Sequence, residues 1–322
     1  MRYMTAESEA FMKIKKTGDS FFSNPIVITL AALFCCLLWG SATPFIKIGY
    51  KLVFTEQDTQ STILFAGMRF FFAGILTVII FSIGRRKLLY PKPENLGRVG
   101  LVSVFQTILQ YIFFYVGLTL TTGVKGTIAS GTSAFFSVIV ASLIFRQEKL
   151  IPKKIIACLL GFAGIILINI NGLEFTMNWG DIFVIFSAIS LAFSSVLIKK
   201  FSKFEDPVVI SGYQFIIGGA FLVVLGLLLG GKMSFASTKG TILLVYLAFL
   251  SAIAYALWGI LLKYNPVSKV TVFSFTTPIF GTILSLIFLP ESANVDPIFL
   301  VFTLLLVSGG IFLLNYQKQN KQ

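Results

Sequence analysis

Apolar residues in this chain come in long unbroken runs, not in the narrow stripes of a soluble amphipathic helix. Ten runs stand out, at approximately 26–48, 62–83, 98–118, 127–146, 154–170, 181–199, 207–229, 240–262, 268–289 and 297–316. Each reads as a helix able to cross a bilayer, which takes ~20 residues. Turn-forming and charged clusters separate them, as at Arg85-Arg86-Lys87, Tyr90-Pro91-Lys92-Pro93 and Asn265-Pro266. The pattern predicts an all-α integral membrane protein: two five-helix units, 26–170 and 181–317, behind a polar tail over 1–25.

Composition makes the solvent lipid. The 322 residues are 56% hydrophobic, 15% aromatic and 12% charged, more apolar surface than one soluble core can hide. The net charge of +13 invites a nucleic-acid partner, but the basic residues sit in short loops, where membrane topology accounts for them. Of 26 Lys and Arg, 20 fall in the tails and alternate loops of one side and 5 on the other, with Arg69 inside the second span. Basic loops stay in the cytosol, which predicts cytosolic termini and residence in the cytoplasmic membrane. The polar start, with Glu7, Glu9, Lys13, Lys15, Lys16 and Asp19, lacks a small-residue cleavage site after a short apolar core and reads as a cytosolic tail. Cys35, Cys36 and Cys158 lie within apolar runs, in neither a disulfide nor a metal-ligand pattern.

The two halves repeat. Ser142-Leu143-Ile144-Phe145-x-x-Glu148 recurs as Ser285-Leu286-Ile287-Phe288-x-x-Glu291, and Gly164…Asn169 recurs as Gly310…Asn315. Five spans is an odd number, so the halves lie upside-down to one another, the arrangement of transporters that expose a midplane site to either side in turn.

Ionisable groups within a bilayer are costly and point to function. Arg69 is the clear case. Its functional reading is an anion anchor or outer gate; the bland one is an arginine snorkelling to headgroups or pairing with backbone carbonyls at a helix end. There is no histidine, which removes Ser/His and Cys/His dyads and histidine relays, and no pair of mid-span aspartates exists, so an enzyme is not expected. The missing mid-span carboxylate also favours a facilitator or exchanger over a proton-coupled pump. The remaining polar groups are neutral. Gln106 and Gln110 share a helical face at i, i+4 with Tyr111 beside them, lining a site or bonding between helices. Ala129, Ser133, Ser137 and Ala141 form a small-residue stripe, and Gly226-x-x-x-Gly230 another, both suited to close helix packing. Trp39 lies deep in its span. Trp258 lies nearer an end, where interfacial anchoring competes with a cavity role. Pro44 and Pro278 are hinge candidates, since each interrupts the backbone ladder.

Leu38-Trp39-Gly40-Ser41, Arg69-Phe70, the two Phe-x-x-Glu span ends and Gly180-Asp181, in that order over residues 25 to 317, resemble the EamA family of the drug/metabolite transporter superfamily. The family pattern has a proline thirteen residues before each span-end glutamate. Pro278 fits, whereas Phe135 stands in the other place. The resemblance implies a ten-helix, basket-like bundle with a central cavity open to one side, lined by spans one, three, four, six, eight and nine. On those spans the site candidates are Trp39, Gln106, Gln110, Ser133, Ser194, Tyr255 and Trp258. It also implies small-molecule transport, commonly export of amino acids or related metabolites. The expectation is therefore a metabolite permease for neutral or zwitterionic solutes, partnered by lipid and solute, without a cofactor or nucleic acid, and with homodimerisation open. The competing readings are efflux of lipophilic or cationic compounds and a non-transporting scaffold or sensor.

Overall fold

A computed structural model describes residues 21–54, 58–170, 176–234, 237–288 and 297–315, and every regular element among them is helical. In chain order these are α1 (Pro25–Val53), α2 (Thr59–Gly84), α3 (Pro93–Leu120), α4 (Gly123–Ile139, continued by a π-helical turn Val140–Ile144), α5 (Pro152–Ile168), α6 (Trp179–Phe201), α7 (Pro207–Leu228), α8 (Thr238–Tyr264), α9 (Val267–Phe288) and α10 (Pro297–Asn315). Among the described residues nine helices are long and apolar enough to cross a membrane. The exception is α5, whose 17 residues cover only about 26 Å against a hydrocarbon core of about 30 Å. Glu291 and the tail up to residue 20 lie outside the described residues.

Local chemistry sets the helix starts. Asn24, Asp58, Thr122, Asp206 and Ser237 each accept from a backbone N–H of the first turn, and Asn178 with Asp181 forms a reciprocal capping box. Proline stands in the first turn of α1, α5 and α7, where its missing N–H costs nothing.

Contacts at the helix ends show that successive helices alternate in direction. At one end Asn265 Nδ2 donates to Phe22 O (2.8 Å), Arg85 pairs with Asp206 (2.6 Å), and Ser268 binds Glu148. At the other, Lys232 N donates to Ser61 Oγ (2.9 Å), Ser234 N to Val53 O (2.9 Å), and Thr121 to Asp181. These are called below the Glu148 end and the Asp181 end. α2 packs chiefly on α7 and α5 on α10; α6 packs on both α3 and α4, and α1 on both α8 and α9.

Close packing of this kind rests on van der Waals contact, because lipid tails are as apolar as the helices. At the α2–α7 crossing a Cβ on Gly219 would lie 2.3 Å from Phe71 N, and one on Gly67 would lie 2.5 Å from Val223 N. Gly226 also packs there, against Leu64. Gly230 does not, contrary to the small-residue motif. It lies beyond the helix at φ +88°, with open space around its Cα, so it terminates α7 instead of joining the crossing.

The helix interruptions fall partly where proline predicts. Pro278 follows a 3₁₀ stretch, Val272–Thr276, inside α9, whereas α1 runs through Pro44 as one continuous helix. At Phe135, where the resemblance expects proline, α4 is regular. Its distortion comes five residues later, in the π turn closed by Phe145 N to Val140 O (2.9 Å). A second π segment, Val104–Leu109, interrupts α3 around Gln106 with no proline to announce it.

Candidate functional site

Arg69 sits on α2, pointing into the bundle at 4% exposure. Its Nε and Nη2 donate to Ser251 Oγ on α8 (3.1 and 2.9 Å), and that hydroxyl donates to Leu247 O (2.8 Å). The guanidinium lies 5.0 Å from the centre of the Phe70 ring. Its charge reaches the phenols of Tyr50, Tyr111, Tyr115 and Tyr255. Among the described residues no carboxylate lies within ion-pair distance. This is a buried cation in a ring of neutral groups, so the snorkelling reading is replaced: the side chain turns toward α8 instead of toward headgroups.

Beside it the deep aromatics converge. Trp39 of α1 meets Tyr255 and Trp258 of α8 edge-on, with ring centres 5.0 and 4.9 Å apart. The Tyr111 and Tyr255 hydroxyls bond at 3.0 Å, Phe70 lies 4.3 Å from Tyr111, and Phe215 of α7 lies 4.8 Å from Tyr255. Gln110 faces Tyr255. Trp258, 5% exposed and packed on Trp39, is held inside the bundle and does not anchor at an interface, because α8 continues to Tyr264 and carries the indole below its end. Two sealed polar atoms have no partner here, Trp39 Nε1 and Gln110 Oε1, and a third, Gln106 Oε1, lies buried in the π segment of α3. Each such atom costs about 1–3 kcal/mol. That cost is relieved if a solute or water completes the bond.

Ser133 and Ser194 are buried, but neither hydroxyl bonds to this cluster: Ser194 Oγ donates to Leu191 O of its own helix (2.8 Å). Two cavities, of about 390 and 820 Å³, lie away from this cluster. The smaller touches Leu64, Val223 and Lys232; the larger opens between α1, α9 and α10, at Leu33, Phe280 and Ile311. Neither is lined by the Trp39–Tyr255–Trp258 cluster, whose rings pack edge-on against one another. Tyr50, Tyr115 and Ser251 were not foreseen as site residues. Only the i, i+4 spacing of Tyr111 and Tyr115 gives any advance signal, since Ser251 is one neutral hydroxyl among many.

At the Glu148 end a second polar cluster ties three helices together. The Glu148 carboxylate, on the turn between α4 and α5, accepts from Lys154 Nζ (2.7 Å) in the first turn of α5. It also accepts from Ser268 Oγ (2.5 Å) and Ser268 N (3.3 Å) at the start of α9. Its side chain is 6% exposed, and Lys154 donates in addition to Lys149 O (2.7 Å). The backbone reaches this position through Arg146 at φ +51°, a left-handed conformation that is uncommon for a side chain of this size.

Comparison with known proteins gives the same architecture. The model of the EamA-like transporter family matches residues 26–170 and again 178–316. An uncharacterized transporter of Archaeoglobus fulgidus is 28% identical over 264 residues, covering 80% of this chain and 88% of its own. An uncharacterized transporter of Synechocystis is 27% identical, with 91% of each chain covered. A chloroplastic WAT1-related protein of Arabidopsis thaliana is 24% identical, covering 86% of this chain and 69% of its own. A crystal structure with 20% sequence identity superposes at a TM-score of 0.71, covering 89% of this chain and 95% of that one, and so shares the fold.

Proposed function

The chain belongs to the EamA-like transporter family, and from that premise we propose that it is a permease for a small neutral or zwitterionic metabolite. In this reading ten helices cross the cytoplasmic membrane with both termini cytosolic, and the two halves are inverted repeats that export solute by alternating access. The observation that carries the proposal is the convergence of Trp39, Arg69, Gln110, Tyr111, Tyr255 and Trp258 from four helices on one buried spot, with polar atoms left unpartnered. An aromatic wall with amide and hydroxyl groups can stack on a small organic solute and hydrogen-bond to it, and it offers no group suited to covalent chemistry.

Two observations support the inverted repeat. Adding five to each helix number turns the α3–α6 packing into α8–α1 and the α4–α6 packing into α9–α1, while α2–α7 and α5–α10 map onto themselves. The phenylalanines of the repeated motif also stand at opposite ends, Phe145 closing α4 at the Glu148 end and Phe288 ending α9, which starts at the Glu148 end, at the other. Orientation follows from the basic residues: the Glu148 end is the Lys- and Arg-rich one and is read as cytosolic. The Glu148–Lys154–Ser268 cluster then acts as the cytosolic gate. It holds α9 against the α4–α5 turn while solute is taken up or released at the other face.

The test is thermal unfolding of the detergent-purified chain against a panel of amino acids, amines, nucleosides and sugar phosphates, followed by flux in proteoliposomes. A ligand at 100 times its Kd stabilises the protein by about 2.7 kcal/mol. The expected result is a hit that is transported and that Trp39→Phe and Gln110→Ala both weaken. A hit insensitive to both substitutions, or no flux of any stabilising solute, would overturn the central site.

A further inference from the structure

Building on the central-site reading, we infer that Arg69 is the residue that selects the solute's charge: the permease accepts small organic solutes carrying one negatively charged group, and the guanidinium binds that group directly.

The geometry carries this in three steps. A guanidinium has five N–H donors in a planar fork. Ser251 Oγ takes the Nε–Nη2 edge, and Nη1 donates to no acceptor among the described residues. The Nη1–Nη2 edge is therefore unspent, and it is the edge suited to bidentate binding of a carboxylate. Ser251 fixes the fork without neutralising it, because a serine hydroxyl brings no charge and this one is already committed to Leu247 O. Second, a cation out of water and without a counter-charge is costly unless it is paired, and the groups around Arg69 are phenols and a phenyl ring, none of them an anion at neutral pH. A purely structural arginine at this depth would be expected to carry an acidic partner; here that partner is left for the solute to supply. Third, among the described residues Arg69 is the one cation at the site, since Lys125 and Lys154, the other buried basic residues, are at the two ends. One positive charge matches a monoanionic group such as a carboxylate and leaves a phosphate dianion half compensated.

The remainder of the site is consistent with a solute that is neutral or cationic elsewhere. The unpartnered oxygen of Gln110 is an acceptor. The Trp39, Tyr255 and Trp258 rings present faces that tolerate an apolar or ammonium-bearing body.

The experiment uses the full chain in lipid nanodiscs with Trp179→Phe, an exposed position on the surface, so that tryptophan fluorescence reports only Trp39 and Trp258. Matched probes differing in one group are titrated: 3-phenylpropionate, phenylalanine, phenylalaninol and 2-phenylethylamine, with the leucine-derived series alongside. The inference expects the carboxylate members to bind at least tenfold more tightly than their alcohol or amine counterparts. Arg69→Gln should erase that preference and leave the weaker members unchanged, and Arg69→Lys should restore part of it. Equal affinity for carboxylate and alcohol, or tighter binding of the amines, overturns the inference and leaves the central site standing. A complete lack of response from every probe removes both. Should Arg69→Gln not yield folded protein, the carboxylate-to-alcohol ratio in the unsubstituted site still decides the matter.

Discussion

Removing the Glu148 carboxylate should loosen the Glu148 end selectively. In Glu148→Ala three acceptor contacts disappear: the 2.7 Å pair with Lys154 and the two bonds from Ser268. Breaking one side of a buried pair costs about 3–5 kcal/mol where the remaining charge has nowhere to go. Lys154 retains its bond to Lys149 O and its side chain is 11% exposed, which places the cost at the low end, about 3 kcal/mol. Ser268→Ala removes one hydroxyl donor and should cost about 1 kcal/mol. Because the two residues share one interaction, the double variant should fall short of the summed single costs by about 1 kcal/mol. Unfolding in mixed micelles by titration with an ionic detergent measures all three. A gate differs from a staple in what it shields, so the same backgrounds should carry Thr271→Cys, one turn inside Ser268 and 4% exposed. Glu148→Ala should raise the rate of its modification by a membrane-impermeant maleimide several-fold. Additive costs within 0.5 kcal/mol, or an unchanged labelling rate, would refute the gate.

Three further outcomes follow from the same geometry. Gly219→Leu forces a side chain into the Phe71 backbone and should destabilise by about 1–3 kcal/mol or more in the same titration, while Gly309→Leu, with open space around it, should be close to neutral. Phe135→Pro, which installs the proline the family pattern expects, should cost about 3 kcal/mol, because α4 is a continuous helix through this position; an unchanged midpoint would show that α4 is already broken there. Asp181→Ala removes the reciprocal cap on Asn178 N (2.9 Å) and the partners of Thr121 and Lys125, and should cost about 2 kcal/mol, whereas Asp181→Asn, which keeps an acceptor, should recover at least half of it.

The helices were legible because the bilayer sets their length. The expected spans and the observed helices agree within about five residues at every end, and the largest differences, at the end of α1 and the start of α3, are extensions across a charged residue, Lys51 and Glu94. Gly and Pro signals were less dependable. Pro278 does mark an irregular turn, but Pro44 does not, and the two π segments at Val104–Leu109 and Val140–Ile144 carry no residue that announces them. A π turn is one residue of excess length accommodated by packing against neighbouring helices, so its position is decided between helices and not within one.

The same division runs through the site. Sequence alone determined that Arg69 is a charge within an apolar span and that Trp39, Gln110, Tyr255 and Trp258 are polar or aromatic groups within theirs, because polarity and span length are local properties of the chain. Tertiary structure decided what Arg69 faces. Ser251 lies 182 residues away, and nothing in either segment names the other as partner. It also decided that Ser194 spends its hydroxyl on Leu191 O of its own helix and that the Tyr111 hydroxyl meets that of Tyr255, 144 residues away. Which face of a helix turns inward is set by how ten helices fit together at once, and that fit is a property of the assembled bundle that no single span contains.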